Sequence, residues 1–259
     1  ALAAGLGFMA SPAYPLGLAT LGGGLLLGLG AWFNGACVFG SIARIGGRDW
    51  HYLLTPPGYF LGSVLHHQLA DGYATAQNQA IPQSVVPVLG LLVLASLAAS
   101  LIGLYRSDRG LSDLWTYRHA TIVIGLAFVV LATVAGPWTY TEVLGRVSHG
   151  HGEPSPAEIA LFAALLGGAI FGGRRQSGPA GLSPWRALLC LAGGALMGLG
   201  GSLVPGGNDN LILVGLPGFQ PHAWVAITAM VLAIAAGLLG EAAWRKIRSN
   251  RILGRVDPA

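Results

Sequence analysis

Long apolar runs, cut by short polar segments rich in glycine, dominate the chain. Seven of them, at 16–33, 53–69, 85–105, 120–140, 157–172, 186–204 and 223–244, come near the roughly 20 residues that a helix needs to cross a bilayer. No period-two alternation is sustained, and backbone facing lipid must be satisfied within helices or a closed barrel. The pattern therefore predicts helices. The stretch from Ala1 to Ala10 is apolar but too short to cross alone. Without an initial methionine it reads as a trimmed or partial N-terminal segment.

Composition sharpens this picture. Apolar residues make up 53% of the 259, charged residues only 9%, and 41 are glycine. A disordered chain needs the opposite balance of charge and hydrophobicity. So few charges leave too little polar surface for a soluble enzyme of this length, and the glycines lack the three-residue period of collagen. Glycine is instead frequent where membrane helices pack closely. The expected fold class is all-α: a single transmembrane domain over 1–259, with repeat one about 1–70, connecting spans about 84–141, repeat two about 156–244, and a basic tail at 245–259. The net charge of +4 is not gathered on a polar domain, so nucleic acid is not an expected partner. The lipid bilayer is.

Charge also sets orientation. The segment 105–118 carries Arg106, Arg109 and Arg118; 173–186 carries Arg174, Arg175 and Arg186; the tail carries Arg245, Lys246, Arg248, Arg251 and Arg255. The segment 68–83 has no lysine or arginine, and 141–155 has only Arg146. Positive-inside reasoning places the first three in the cytoplasm, in step with seven alternating spans. The C-terminus is then cytoplasmic.

Two stretches repeat at an offset of 170 residues. Gly23-Gly-Leu-Leu-Leu-Gly-Leu-Gly30 matches Gly193-Gly-Ala-Leu-Met-Gly-Leu-Gly200 at all four glycines. Each leads into a polar break: Asn34-Gly35-Ala36-Cys37-Val38-Phe39-Gly40 in the first, Pro205-Gly206-Gly207-Asn208-Asp209-Asn210 in the second. An odd number of crossings separates the two, so the repeats are inverted. Interrupted, re-entrant helices in inverted repeats point to a transport site near the bilayer midplane, where exposed backbone N–H groups attract anions. The glycines at four-residue spacing, Gly24 with Gly28 and Gly194 with Gly198, fit helix packing better than ligand contact. The polar breaks fit a substrate path better than packing.

The stretch from Gly28 through Cys37 to Asp49, and the second glycine run with its break, resemble the YeeE/YedE sulphur-transport family. Its members carry Gly-x-Gly, a short spacer, Gly-Gly-Cys and a glycine-rich turn in each repeat. The resemblance implies a permease of bacterial inner membranes for a small inorganic sulphur anion such as thiosulfate, passed along pore cysteines. Cys37 matches the first-repeat cysteine. Gly207 stands where the second would be, so this chain departs from a relay of several cysteines.

The expected substrate path is Gly35, Cys37, Gly40, Gly206, Gly207, Asn208, Asp209 and Asn210, with Arg44 and Arg48 as anion guidance or membrane anchors. Asp209 is read as an intramembrane acid or a helix cap, and Cys190, in an unbroken helix, as structural. His66, His67, His149 and His151 read as interfacial side chains, with no metal or other cofactor expected. No nucleophile elbow, Walker loop or His-Glu-x-x-His motif points to an enzyme. A second reading makes the protein a membrane dock for a cytoplasmic sulphur-carrier or redox protein, through Arg44, Arg48, Arg174 and Arg175.

Overall fold

The computed structural model describes residues 16–69, 117–135, 138–173, 183–204 and 207–253. The expected span at 85–105 lies outside the described residues, as do Arg106, Arg109, Arg174 and Arg175. Among those described there is no strand. Four apolar helical stretches are long enough to cross a membrane, Leu18–Gly46, Pro156–Gly173, Pro184–Leu203 and Pro221–Arg248. The protein is an all-α, multi-pass membrane protein.

The first repeat begins with α1, Leu18–Asn34. Gly35 stops it: at φ 74° it takes the left-handed conformation open to glycine, and its N–H turns back to the carbonyls of Ala31 and Trp32. Only two residues on, Cys37 caps α2, Val38–Gly46. The break is thus shorter than the 34–40 expected, because Val38–Gly40 already belong to the new helix. A 3-10 turn, Trp50–Leu54, then leads into α3, Thr55–Leu69.

A second unit, not foreseen as interrupted, comprises α4 (Tyr117–Ala135), α5 (Tyr140–Ser148) and α6 (Pro156–Gly173). The apolar pattern alone predicts one span over 120–140. Helix α4 instead ends at Ala135, and α5 starts afresh at Tyr140, with the Thr139 hydroxyl accepting from the Glu142 N–H at 3.4 Å. The sequence between them, Gly136-Pro137, carries a proline, a residue without the N–H that a helical ladder needs.

The second repeat has the plan of the first. Its long helix α7, Pro184–Leu203, opens on a proline, whose missing N–H costs nothing there. After the break comes one helical turn, α8, Gly207–Asn210, which runs into a π-helical turn, Leu211–Gly215. Helix α9, Pro221–Leu253, completes the unit.

Glycines set how the repeats meet. A Cβ on Gly30 would lie 2.6 Å from the Gly193 carbonyl oxygen, and one on Gly200 would lie 2.6 Å from that of Gly23. Thus α1 and α7 run antiparallel, and the offset of 170 maps one contact onto the other with partners exchanged. Gly24 and Gly28 press on the α9 backbone at Ala226 and Met230, while Gly194 and Gly198 press on the α3 backbone at Thr55 and Tyr59. The same exchange holds, giving the core an approximate two-fold axis. The spaced glycines are packing residues, and close backbone approach is what dispersion rewards where lipid offers no hydrophobic drive. Around this core, α6 buries none of its residues and Phe171 is 78% exposed, the surface expected against acyl chains.

Candidate functional site

The starts of α2, α5 and α8 converge. Tyr140, first residue of α5, donates its hydroxyl to the Val38 carbonyl of α2 at 2.5 Å. The next residue, Thr141, donates its hydroxyl to Asp209 Oδ1 in α8. That oxygen also accepts the Asn210 N–H at 3.0 Å. Gly207, at φ 66°, is surrounded by polar groups: a Cβ there would lie 3.0 Å from the Tyr59 hydroxyl, 3.1 Å from Thr141 Oγ1 and 3.2 Å from Asp209 Oδ1. Only glycine combines that backbone with that crowding.

Three side chains at this junction are incompletely satisfied: Asn208, Asp209 and Trp138, whose indole Nε1 has no partner among the described residues. Asn208 is fully buried, and neither its Oδ1 nor its Nδ2 has a hydrogen-bond partner among the described residues. Asp209 is 3% exposed, and its Oδ2 also lacks one. Leaving such a group unpaired costs about 1–3 kcal/mol. Beside them lies a cavity of about 210 Å³, lined by Asp209 together with apolar side chains such as Phe39, Phe128, Leu165 and Leu213, and by Trp138. Phe39 and Asp209 are equivalent positions of the two repeats.

The other expected residues fall as follows. Cys37 is half-buried, and its Sγ accepts the Gly40 N–H at 3.3 Å, so its own S–H remains a donor. Gly35 lies against a cluster that sequence reasoning missed. Arg186 reaches from the start of α7 to the end of α1, donating to the Asn34 carbonyl at 2.5 Å and to the Tyr52 hydroxyl at 2.6 Å. It also lies 5.3 Å from the centre of the Tyr52 ring, with Arg44 at 5.9 Å. Asn34 is itself satisfied, donating to the Ala36 carbonyl at 2.8 Å and accepting from the Thr55 hydroxyl at 3.0 Å. Arg48 is exposed and left-handed at φ 67°. Asp49 pairs with His51 at 2.7 Å rather than with Arg44 or Arg48. Asn210 is half-buried, and Gly206 lies outside the described residues. Cys190 is fully buried in the core.

Tyr59, Tyr140 and Thr141 were also missed. Their signal was present: Ala-Gly-Pro-Trp at 135–138 is a glycine–proline break in a long apolar run, like the others. At the far end of α3 and α5, the ring of His149 lies 6.1 Å from His66 and 5.1 Å from His67, with His151 at 6.3 Å. The ends of α3 and α5 therefore emerge together. No group of three His, Cys, Asp or Glu among the described residues is arranged to hold a metal ion.

These features define a class: a polytopic membrane protein whose interrupted helices bring buried, partly unsatisfied polar groups together inside the bundle. Such backbone is tolerated at membrane depth where protein or a cavity encloses it. A family model for sulphur transport matches residues 1–236, and the chain belongs to that family. It is thus a sulphur-related membrane transporter. No curated protein matches the chain.

Proposed function

We propose that the protein is a permease for a small sulphur-containing anion, thiosulfate or a close relative. The anion passes the junction of α2, α5 and α8, where Cys37 serves as a hydrogen-bonding contact. The observation that carries this reading is Asn208, a fully buried amide without partners beside a glycine-lined turn. Buried polar groups are retained unsatisfied where something else completes them, and an amide N–H₂ offers two donors to an oxyanion. The first turn of α2 adds backbone N–H groups, and its dipole favours negative charge. The Cys37 S–H is a weak, soft donor, suited to passage because conduction needs release as well as binding. Gly35, Gly40, Gly206, Gly207, Asp209 and Asn210 belong to the same path, and Arg44 and Arg48 guide the anion at the cytoplasmic mouth. The protein resides in a bacterial inner membrane, and the arginine distribution supports a C-terminus inside.

Uptake of labelled thiosulfate, sulfite and sulfate by cells lacking other importers tests the reading. Expression should raise uptake of at least one of them, and Cys37→Ala should lower it. Unchanged uptake in Cys37→Ala would remove the cysteine from the path.

A second reading, docking of a cytoplasmic sulphur-carrier protein, is favoured by one observation. Arg44 and Arg48 are exposed while the neighbouring Asp49 is turned to His51, leaving the turn cationic. Reversing both arginines to glutamate should then abolish capture of an acidic carrier, whereas on the permease reading it lowers anion uptake.

A further inference from the structure

Among the described residues, Asp209 has nothing positive to face. Its carboxyl is 3% exposed, and none of the ion pairs among the described residues involves it. The titratable groups around its turn are the Tyr59 and Tyr140 phenols, the Cys37 thiol and the Glu142 carboxyl, none of which carries positive charge. From α2, α4, α6 and the π-helical turn, the cavity wall beside it presents Phe39, Phe128, Leu165 and Leu213. A bare carboxylate in such surroundings is costly, and the usual resolution is to bind a proton. One oxygen is already occupied: Oδ1 accepts from Thr141 and from the Asn210 N–H. Oδ2 has no partner. A proton on Oδ2 makes the group neutral and turns an acceptor with nothing to accept from into a donor beside the Asn208 amide.

We propose that Asp209 is the proton-carrying group of an anion–proton symporter, taking up one proton from the external solution and releasing it to the cytoplasm with each anion. This rests on the permease reading above and adds its coupling ion. The chemistry is a reversible protonation, carboxylate plus hydronium giving carboxylic acid plus water on one side, and the reverse on the other. Linkage makes it a coupling. An anion bound next to Asp209 is repelled by the carboxylate and accepts a hydrogen bond from the acid, so anion and proton each favour the other's binding by the same factor. The proton also offsets one negative charge moving against an inside-negative potential.

The test uses the full chain in liposomes holding a pH-sensitive dye, with labelled thiosulfate, sulfite or sulfate added outside. The wild type should acidify the lumen when the transported anion is added. Each unit of inward pH gradient should raise anion accumulation roughly tenfold for one proton per anion. In Asp209→Asn the flux that remains should no longer acidify the lumen and should ignore the gradient, whereas Asp209→Glu should restore both. Anion uptake by the wild type without proton influx would overturn the coupling while leaving the permease standing. Proton influx per anion unchanged in Asp209→Asn would overturn the role of Asp209. Failure of the wild type to take up any of the three anions would overturn the permease reading and the coupling with it.

Discussion

The two breaks share a plan and differ in finish. At the first, every polar group of Asn34 is used: its amide on Ala36, its side-chain oxygen on Thr55, its carbonyl on Arg186. At the second, the Asn208 amide and one Asp209 oxygen have no partner among the described residues. The offset of 170 explains part of this. Val204 stands at the position of Asn34, and Leu16 at that of Arg186, so the second break has no guanidinium clamp. Two copies of one scaffold have thus diverged into a closed joint and an open one. The open joint is where a ligand has something to complete.

The largest effect is expected from breaking what both joints share. Gly198 presses on the Tyr59 backbone where α7 crosses α3. Gly198→Leu forces those helices apart and should cost at least about 3 kcal/mol, leaving little folded protein. Size-exclusion chromatography in detergent reads this as loss of the monodisperse peak. A normal peak would mean that the glycine contacts do not set the spacing of the core.

Next comes the clamp. Arg186→Ala leaves the Asn34 carbonyl and the Tyr52 hydroxyl without their charged donor. Hydrogen bonds to charged groups are worth about 1.5–3 kcal/mol, so a loss of about 2–3 kcal/mol is expected. Thermal unfolding in detergent should show a clear drop in Tm. Lysine, which lacks the planar fork, should restore less than half of it.

Much of this contrast is legible in the amino-acid sequence. The glycine octets, their exchange symmetry and the position of both breaks follow from residues that repeat at one offset. Asn208 and Asp209 stand out because amides and acids are rare in apolar runs. What is not legible there is which groups find partners. Arg186 reads as a cytoplasmic anchor because its neighbours in sequence are basic; its side chain instead runs back along α7 to a helix end 152 residues away. The break before Tyr140 is hidden at the end of an apparent span because a long apolar run leads into it, although Gly136-Pro137 marks it. Periodicity and composition locate elements; satisfaction of buried groups depends on contacts across the fold.

The sharpest test of the contrast pairs two substitutions of the same kind, with opposite signs. Asn34→Leu strands the Ala36 carbonyl and the Thr55 hydroxyl in the interior, and should destabilise by about 2 kcal/mol. Asn208→Leu strands nothing among the described residues and removes an unsatisfied amide. It should leave stability unchanged or raise it by about 1 kcal/mol, while anion uptake is lost. A fall in Tm for Asn208→Leu equal to that of Asn34→Leu would mean that the second joint is closed too.

The smallest effect concerns two histidines outside the joints. His51, after the first joint, has a carboxylate partner in Asp49; His149, at the end of α5 beside α3, has histidines around it. Burial holds His149 below the usual imidazole value, its hydrogen bond to the Gly145 carbonyl works the other way, and positive charge on His67 or His151 lowers it further. The unfolded chain, with an ordinary imidazole, then binds a proton at a higher pH than the folded one. The stability that this difference confers is whole above about pH 6.5 and declines as the pH falls from there through the lowered folded value. Tm measured across that range should sag on the acid side, and His149→Gln, which cannot be protonated, should flatten the sag. An acid sag unchanged in His149→Gln would place the sensitivity elsewhere.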